Sequence, residues 1–362
     1  MDNTPANKSE PPLDQTAADT VVQVFTMSVI IILSVFFNAV VLICFYRHHA
    51  LQTFTNAFVV NLACADFLFG LLGMPLSLVT SITIDYAFPV SVCKFHGFVL
   101  VLFSEASIWT LTFVSFERYL SIRHPFHHQR WITPSVVTTT IGAVWAISIL
   151  FALLPFGISK YSFYRFNHIC VADWRISFQT TLIYCICSIF IPFTFMVISN
   201  IGILKTALEQ NRKVDVKVGN IRKMTIRPSE APVIDVVHLE AERKAAEKAK
   251  ARKKKEKRAT LLVLAIVGTF ALCWIPYAIT SMCLMIRSYE CLWSSRVFVA
   301  SAWLTNLSSA LNPILYIVFN VTIRRAVKQL LGISPKNGVD GSDGGTLVTN
   351  VTRFNRRAER SQ

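Results

Sequence analysis

The chain has 362 residues, of which 53% are apolar and only 16% are charged, against about 25% charged residues in soluble domains. Phe occurs 27 times and the formal net charge is +15. Such a composition excludes a disordered protein, and the uneven spread of the basic residues argues against a nucleic-acid-binding domain. A basic, Phe-rich and charge-poor chain predicts an integral membrane protein.

Seven apolar runs are long enough to cross a hydrocarbon core of about 30 Å, which takes about 20 residues of helix. The runs do not alternate with a period of two, so they predict helices and not barrel strands. We therefore predict an all-α membrane protein, a seven-transmembrane helix bundle. Its spans are Val21–Tyr46, Ala57–Ile84, Phe95–Ile122, Ser135–Gly157, Ser177–Leu204, Ala259–Ile286 and Val297–Phe319.

The basic residues set the orientation of the bundle. Arg47, Arg123, Arg130 and Arg324 all lie on one side of the predicted spans, and an excess of Lys and Arg marks the cytoplasmic side. Residues 1–20 are then an extracellular amino terminus without a secretory signal, so span one would serve as an uncleaved anchor. Asn7 opens a glycosylation sequon on that side. These features predict a multi-pass protein of the plasma membrane.

Three further segments follow the amino terminus. Residues 21–320 form the membrane domain, within which residues 209–258 are a third cytoplasmic loop and an extension of span six. The Leu239–Arg258 stretch is rich in Ala, Glu and Lys, which favour helix, and its basic face suits anionic lipid or an acidic partner. Residues 321–333 predict a short amphipathic eighth helix on the inner leaflet. Residues 334–362 predict a disordered cytoplasmic tail.

The cysteines divide between the spans and the outer side. Cys93, Cys170, Cys283 and Cys291 face the oxidising side, and sequence alone leaves their pairing open. Cys283 and Cys291 form either a small-loop disulfide or two free thiols. No Cys or His cluster has the spacing of a zinc site, and we interpret His127 and His128 as part of a solvated loop.

Ordered motifs in all seven spans carry a resemblance to a known family. The chain resembles the rhodopsin-like (class A) G-protein-coupled receptors, near but outside the amine receptors and similar to some orphan receptors. The motifs are Asn38, Asn61 to Asp66, Glu117-Arg118-Tyr119, Trp145, Pro192, Phe270, Cys273 to Pro276, and Asn312-Pro313-Ile314-Leu315-Tyr316.

The resemblance implies a disulfide between Cys93 and Cys170 and an activation switch at the inner side. Glu256 lies 18 residues, or five helical turns, before Trp274, at the height where it would clamp Arg118 in the resting state. The alternative is that Glu256 is one more charge in the basic run Lys253–Arg258. Asp66, Ser107, Ser308 and Asn312 would hold an allosteric sodium ion, with a protonated Asp66 between helices as the alternative. The switch residues are Glu117, Arg118, Tyr119, Glu256, Phe270, Pro276, Asn312, Pro313 and Tyr316.

A ligand pocket is expected in the outer half of the bundle. Glu105 lies at the depth of this pocket. It is either the counter-ion of a cationic ligand or a protonated group that donates a structural hydrogen bond. The amine-binding Asp of amine receptors would stand at Leu100, and span seven lacks the Lys of retinal receptors. The expected lining is Leu100, Ser104, Glu105, Tyr184, Trp274, Tyr277, Ser281, Trp303 and Asn306.

The function implied is a receptor that binds a small extracellular ligand and promotes nucleotide exchange on a heterotrimeric G protein. It is not an enzyme, and no cofactor other than sodium is expected. Arrestin, a receptor kinase and membrane lipid are further expected partners, and nucleic acid is not one. A constitutively active, ligand-independent receptor is the alternative, and a transporter is disfavoured because no internal repeat is visible. Asn200 stands where the family usually has a Tyr that stabilises the active state.

Overall fold

The computed structural model describes residues 16–83, 88–164, 168–173, 178–224, 258, 260–283 and 293–333. Seven helices in these residues are long and apolar enough to cross a membrane. The seven predicted spans are therefore confirmed, and we number them in chain order. They are Ala17–Arg47, Asn56–Thr83, Val90–Arg123, Pro134–Ile158, Leu182–Thr206, Thr260–Cys283 and Ser295–Phe319.

Local sequence explains where several spans begin. The Thr16 side chain accepts from the Asp19 backbone N–H while the Asp19 side chain accepts from the Thr16 backbone N–H, a reciprocal capping box. The Thr53 and Thr133 hydroxyls cap the first turns of spans two and four in the simpler way. Pro134 follows at the first turn of span four, where its missing N–H costs nothing.

Spans two and five are interrupted by π-helical turns. Span two runs as Phe54–Leu68, a π turn at Phe69–Gly73 and then Met74–Thr83. In the same way, the helix of span five is Phe178–Cys185, a π turn at Ile186–Phe190 and then Ile191–Met224. A π turn inserts a residue into the helix and changes which side chains face the neighbours, often at functional sites.

Span three is the centre of the bundle. It packs against spans two, four and five and against a two-stranded hairpin. Asn61 donates from Nδ2 to Thr110 Oγ1 at 2.8 Å and accepts from Trp145 Nε1 at 2.9 Å. These two bonds join spans two, three and four through buried polar groups, which fixes their relative register.

A two-stranded hairpin covers the outer end of span three. Its antiparallel strands are Tyr161–Tyr164 and Ile169–Ala172, with Phe163 opposite Cys170. Cys170 is disulfide-bonded to Cys93, so the predicted pairing is confirmed. The Tyr161 ring lies over Gly97, where an added Cβ would overlap it. A residue without a side chain is therefore needed at Gly97 for the hairpin to lie this close.

Short helices lie at the inner side of the bundle. They are a 3-10 turn at His49–Leu51, a helix at Pro125–Trp131, which we call the loop helix, and a helix at Val321–Leu330. The last is the predicted eighth helix, three residues shorter than expected. Asn320 caps it, and Ile323, Ala326 and Val327 are buried against the bundle.

Several predictions lie outside the described residues. These are the Asn7 sequon, Glu256, Cys291, the tail at 334–362 and most of the 209–258 segment beyond the end of the span-five helix. Cys283 is described and is disulfide-bonded.

Candidate ligand cavity and signalling switch

A cavity of about 410 Å³ opens between the outer halves of the spans. Its wall is mostly apolar and aromatic and comes from spans two, three, five, six and seven. The second hairpin strand adds Ile169, Val171 and Ala172 to the wall. A concave, largely apolar space with a few polar groups is what small-molecule sites in proteins usually show.

Most residues expected around a ligand lie on this wall. Trp303 is the exception: it is buried in the outer apolar cluster with Met27 and Val299 and does not line the cavity. The wall includes Leu100, Ser104, Glu105, Tyr184, Trp274, Tyr277, Ser281 and Asn306.

Glu105 is buried in the wall, with 2% of its surface exposed. Its Oε1 accepts a hydrogen bond from the Ser188 hydroxyl and one of 3.3 Å from the Tyr184 hydroxyl. Its Oε2 has no hydrogen-bond partner of good geometry among the described residues. The Trp109 indole of span three also interacts with this carboxyl group, and burial of a carboxylate away from a cation is unfavourable.

Ser188 was missed by the sequence analysis. It lies four residues after Tyr184, which places both on one face of a helix and could have signalled the pair. The π turn at Ile186–Phe190 contains Ser188, and such a change of register is not readable from apolar periodicity.

An aromatic stack forms the floor of the cavity. Phe270 and Trp274 are stacked with ring centroids 5.3 Å apart, and Tyr277 meets Trp274 edge to face at 6.3 Å. Trp274 Nε1 donates to Ser308 Oγ at 3.4 Å. This bond joins span six to span seven directly below the cavity.

A polar pocket around Asp66 lies below that floor. Asp66 Oδ1 accepts from Ser107 Oγ at 2.9 Å and Oδ2 accepts from Asn312 Nδ2 at 2.8 Å. Asp66 is 1% exposed, and no Lys or Arg in the described part of the chain forms an ion pair with it. Neutral donors thus surround a carboxylate that lacks a counter-cation, and hard oxygen ligands of this kind suit a small cation.

The Glu117-Arg118-Tyr119 motif lies in the last two turns of span three, which ends at Arg123. Glu117 Oε2 lies 3.4 Å from Arg118 Nε, and Glu117 Oε1 lies 2.6 Å from His128 Nε2 in the loop helix. The prediction that His128 belongs to a solvated loop is therefore wrong. His128 follows the start of a regular helix that turns its ring onto buried Glu117, whereas His127 is exposed.

Asn200 and Tyr316 do not meet in this arrangement. Asn200 Nδ2 donates to the Met196 carbonyl at 2.7 Å and to Ser115 Oγ at 3.5 Å. Tyr316 is 1% exposed, and its hydroxyl has no partner among the described residues. The short Asn200 side chain forms hydrogen bonds within its own helix and to span three, and among the described contacts it forms none with Tyr316.

Comparisons with known proteins agree with this geometry. The protein-family model described as "7 transmembrane receptor (rhodopsin family)" matches residues 37–316 of this chain. The chain is 28% identical to octopamine receptor beta-2R of Chilo suppressalis over 310 residues, which cover 83% of this chain and 77% of the relative. It is 28% identical to G protein-coupled receptor 161 of Bos taurus over 319 residues, covering 84% and 58% of the two chains.

Two further matches concern a relative and a fold. Identity to the human histamine H2 receptor is 26% over 326 residues, with 88% of this chain and 81% of that relative covered. The crystal structure of squid rhodopsin superposes with a TM-score of 0.73 at 23% identity, covering 88% of this chain and 87% of that one.

Proposed function

Since the chain belongs to the rhodopsin family of seven-transmembrane receptors, we propose that a ligand in the outer cavity makes it promote nucleotide exchange on a heterotrimeric G protein. Membership makes the chain a receptor that signals through G proteins, a multi-pass protein of the plasma membrane and not an enzyme. The ligand, the exchange step and an extracellular amino terminus are the proposed parts.

One observation carries the proposal: the cavity rests directly on the Phe270–Trp274 stack. Trp274 bonds to Ser308 on span seven, and Pro276 stands two residues further along span six, where it removes one backbone hydrogen bond and favours a kink. A ligand that moves Trp274 therefore acts on the segment that can bend. Span six would then move away from span three at the inner side and open a crevice for the G protein.

We propose a small protonated amine as the ligand. Glu105 is the charged residue that the described cavity wall contains, and the groups that interact with it, the Tyr184 and Ser188 hydroxyls and the Trp109 indole, are neutral. Two relatives are named as receptors for octopamine and histamine. Leu100 stands at the height where amine receptors hold their acid, so the cation would bind five residues deeper, roughly 7 Å along the helix axis.

At the inner side, Arg118 is the proposed contact for the G protein. Glu256 would hold Arg118 in the resting receptor and release it when span six moves. Arrestin and a receptor kinase would act on the 334–362 tail, and the eighth helix would lie along the inner leaflet.

Sodium would stabilise the resting receptor at the pocket below Trp274. Asp66, Ser107, Ser308 and Asn312 would hold it, and it would supply the positive charge that the buried Asp66 carboxylate otherwise lacks. We expect sodium to lower basal exchange in the wild-type receptor and to have no effect in the Asp66→Asn variant.

The test is GTP exchange on purified G proteins by the receptor in nanodiscs, first without and then with a panel of small primary amines. Arg118→Ala is the inactive control. Exchange that depends on Arg118 and rises with an amine supports the whole proposal. Arg118-dependent exchange that no amine alters would favour the ligand-independent alternative, and exchange equal to that of the control would reject the function.

A further inference from the structure

The cavity wall reaches the lipid-facing surface of the bundle between spans five and six. Phe190 on span five and Ile275 and Ile279 on span six belong to this wall. These three side chains are 48%, 46% and 51% exposed, whereas Glu105 and Ser188 in the same wall are each 2% exposed. All three lie within the apolar spans, so they are exposed to the hydrocarbon of the membrane.

The direction of the opening follows from the helix geometry of span six. Leu272 is 75% exposed and is not part of the described cavity wall, so its face of the helix lies on the outside of the bundle. Ile279 comes seven residues later, and an α-helix departs by only about 20° from an exact repeat over seven residues. Ile279 therefore shares the outer face of Leu272 and still borders the cavity. We call the opening bordered by Phe190, Ile275 and Ile279 the lateral window.

Small side chains line the approach to the lateral window. Ala271 and Ala278 belong to the cavity wall on span six, and Cys185 belongs to it on span five. Ala271 and Ala278 are seven residues apart and so lie on one face of the helix. Larger side chains at these positions would occupy space between the two spans, since protein interiors are close-packed. The sequence thus keeps this side of the cavity wide.

The buried acid of the cavity lies beside the lateral window. Glu105 accepts a hydrogen bond from the Ser188 hydroxyl, and Ser188 belongs to the π turn Ile186–Phe190, whose last residue borders the window. Ile189, which comes directly after Ser188, is also part of the cavity wall. A cation bound at Glu105 would therefore have hydroxyl groups next to it and, within the same helical turn, an apolar route to the lipid.

We propose that the ligand is an amphiphilic amine whose ammonium group binds at Glu105 and whose apolar chain passes through the lateral window into the lipid. This proposal rests on the amine proposed above and narrows its class to compounds that reside in the membrane. A chain in the window stays in apolar surroundings along its length, so none of its surface has to enter water. A helix with its side chains is about 10–12 Å thick, so a chain of about that length reaches from the cavity to the lipid.

The first test compares a short and a long primary amine, propylamine and decylamine, both tritiated. Their dissociation constants are measured by equilibrium binding to the full-length receptor in phosphatidylcholine nanodiscs, and binding to Glu105→Gln is subtracted as background. Wild type is compared with Ile279→Trp, in which a large ring closes the window. The matched control is Leu272→Trp, which adds the same ring to the same helix face outside the cavity wall. Uptake of each amine by the lipid cancels when receptors are compared.

The two amines should respond differently to closure of the window. Propylamine fits inside the cavity, so its dissociation constant should change less than about twofold in either variant, as is usual for surface substitutions. Decylamine should bind Ile279→Trp about tenfold more weakly than wild type, because overpacking of an occupied space is unfavourable. Leu272→Trp should bind decylamine as wild type does.

Three results of this comparison would overturn the proposal. Ile279→Trp could weaken both amines equally, which would indicate that an acyl chain of the bilayer occupies the window. Ile279→Trp could leave decylamine binding unchanged, which would mean that the chain takes another path. Leu272→Trp could weaken decylamine as much as Ile279→Trp does, which would assign the loss to the outer surface of span six and not to the window.

A second measurement needs no substitution in the window. Decylamine with a photoreactive diazirine in the middle of its chain is bound to wild type and irradiated, and the labelled peptides are identified by mass spectrometry. Adducts should form on Phe190, Ile275 or Ile279. Adducts on Ile169 or Val171, the hairpin residues of the cavity wall, would show that the chain points toward the hairpin and would overturn the proposal.

Failure of this proposal and failure of the proposed function give different results. If the amines bind wild type without raising GTP exchange, the exchange function fails, and the binding and labelling results still decide the window. If both amines raise exchange but decylamine binds Ile279→Trp as tightly as wild type, the window is rejected and the function stands. If neither amine binds wild type better than Glu105→Gln, both the amine ligand and the window are rejected.

Discussion

Span three is covered at both ends, and the two covers are attached in different ways. At the outer end the hairpin is joined by the Cys93–Cys170 disulfide and by buried rings such as Tyr161. At the inner end the loop helix is joined through the contact between His128 and Glu117. A covalent and apolar attachment holds one shape, while a polar contact at the membrane boundary can be exchanged for another. The outer end therefore preserves the cavity, and the inner end is suited to rearrange when a partner binds.

The buried acids near the two ends of span three, Glu105 and Glu117, also differ in the groups that contact them. Glu105 receives neutral hydroxyls from span five, whereas Glu117 receives nitrogen donors from Arg118 and His128. The charge of Glu117 is thus compensated within the protein. None of the described residues of the cavity wall places a cation beside Glu105. This is the basis for proposing a cationic ligand.

Replacement of Glu105 should have the largest effect. Loss of one partner of a buried charge pair costs about 2–5 kcal/mol in binding, so Glu105→Gln should raise the half-maximal concentration of an activating amine about 100-fold. Concentration–response curves for GTP exchange measure it. A neutral isostere of the same amine is the control, because its response should be unchanged. An equal loss for both compounds would mean that Glu105 supports the fold and not the ligand.

Acid should loosen the outer cover through His168, which lies outside the spans. The ring is fully buried, and its two nitrogens have no hydrogen-bond partner in the described part of the chain. Burial lowers the pKa of His168 from 6.5 to about 4. The folded state therefore resists a proton that the unfolded state accepts, so stability is full above about pH 6.5 and falls toward pH 4.

The measurement is the melting temperature of the receptor at pH 7.5 and pH 5, for wild type and His168→Asn. The loss attributable to His168 at pH 5 should be about 2 kcal/mol. His168 has a φ of 55°, a conformation that Asn tolerates, so the variant removes titration without adding backbone strain. Because buried His96 is present in both proteins, its titration cancels. Equal acid sensitivity of the two would contradict the assignment.

Closeness of the hairpin to span three can be tested at Gly97. A Cβ at Gly97 would overlap the Tyr161 ring, whereas a Cβ at Gly142 in span four has nothing within 4 Å. Overpacking of this kind costs about 1–3 kcal/mol, and Ala in a helix returns about 0.5–1 kcal/mol relative to Gly. Gly97→Ala should therefore lower the melting temperature and Gly142→Ala should leave it equal or higher. Equal shifts in both variants would show that the hairpin is not tightly seated.

The sequence could predict the seven spans because a span is a long apolar run whose length the membrane dictates. It could also place Asp66 beside Ser107 and Asn312, since those motifs come in a fixed order in a recognised family. The contacts of Glu105 and Glu117 were not predictable in the same way. Ser188 is brought to Glu105 by a π turn, and His128 is brought to Glu117 by the direction of a seven-residue helix. Apolar periodicity contains neither piece of information.

The smallest effect is expected at the exposed ion pair of the inner end. Arg123 Nη1 lies 3.4 Å from Glu209 Oε2, and both side chains are about half exposed. Such pairs contribute little because water and salt screen them. Glu209→Gln should therefore change basal GTP exchange less than about twofold, although this pair, like His128 and Glu117, joins span three to another element. A larger change would contradict this expectation and would show that the summed surface charge at the inner end controls exchange.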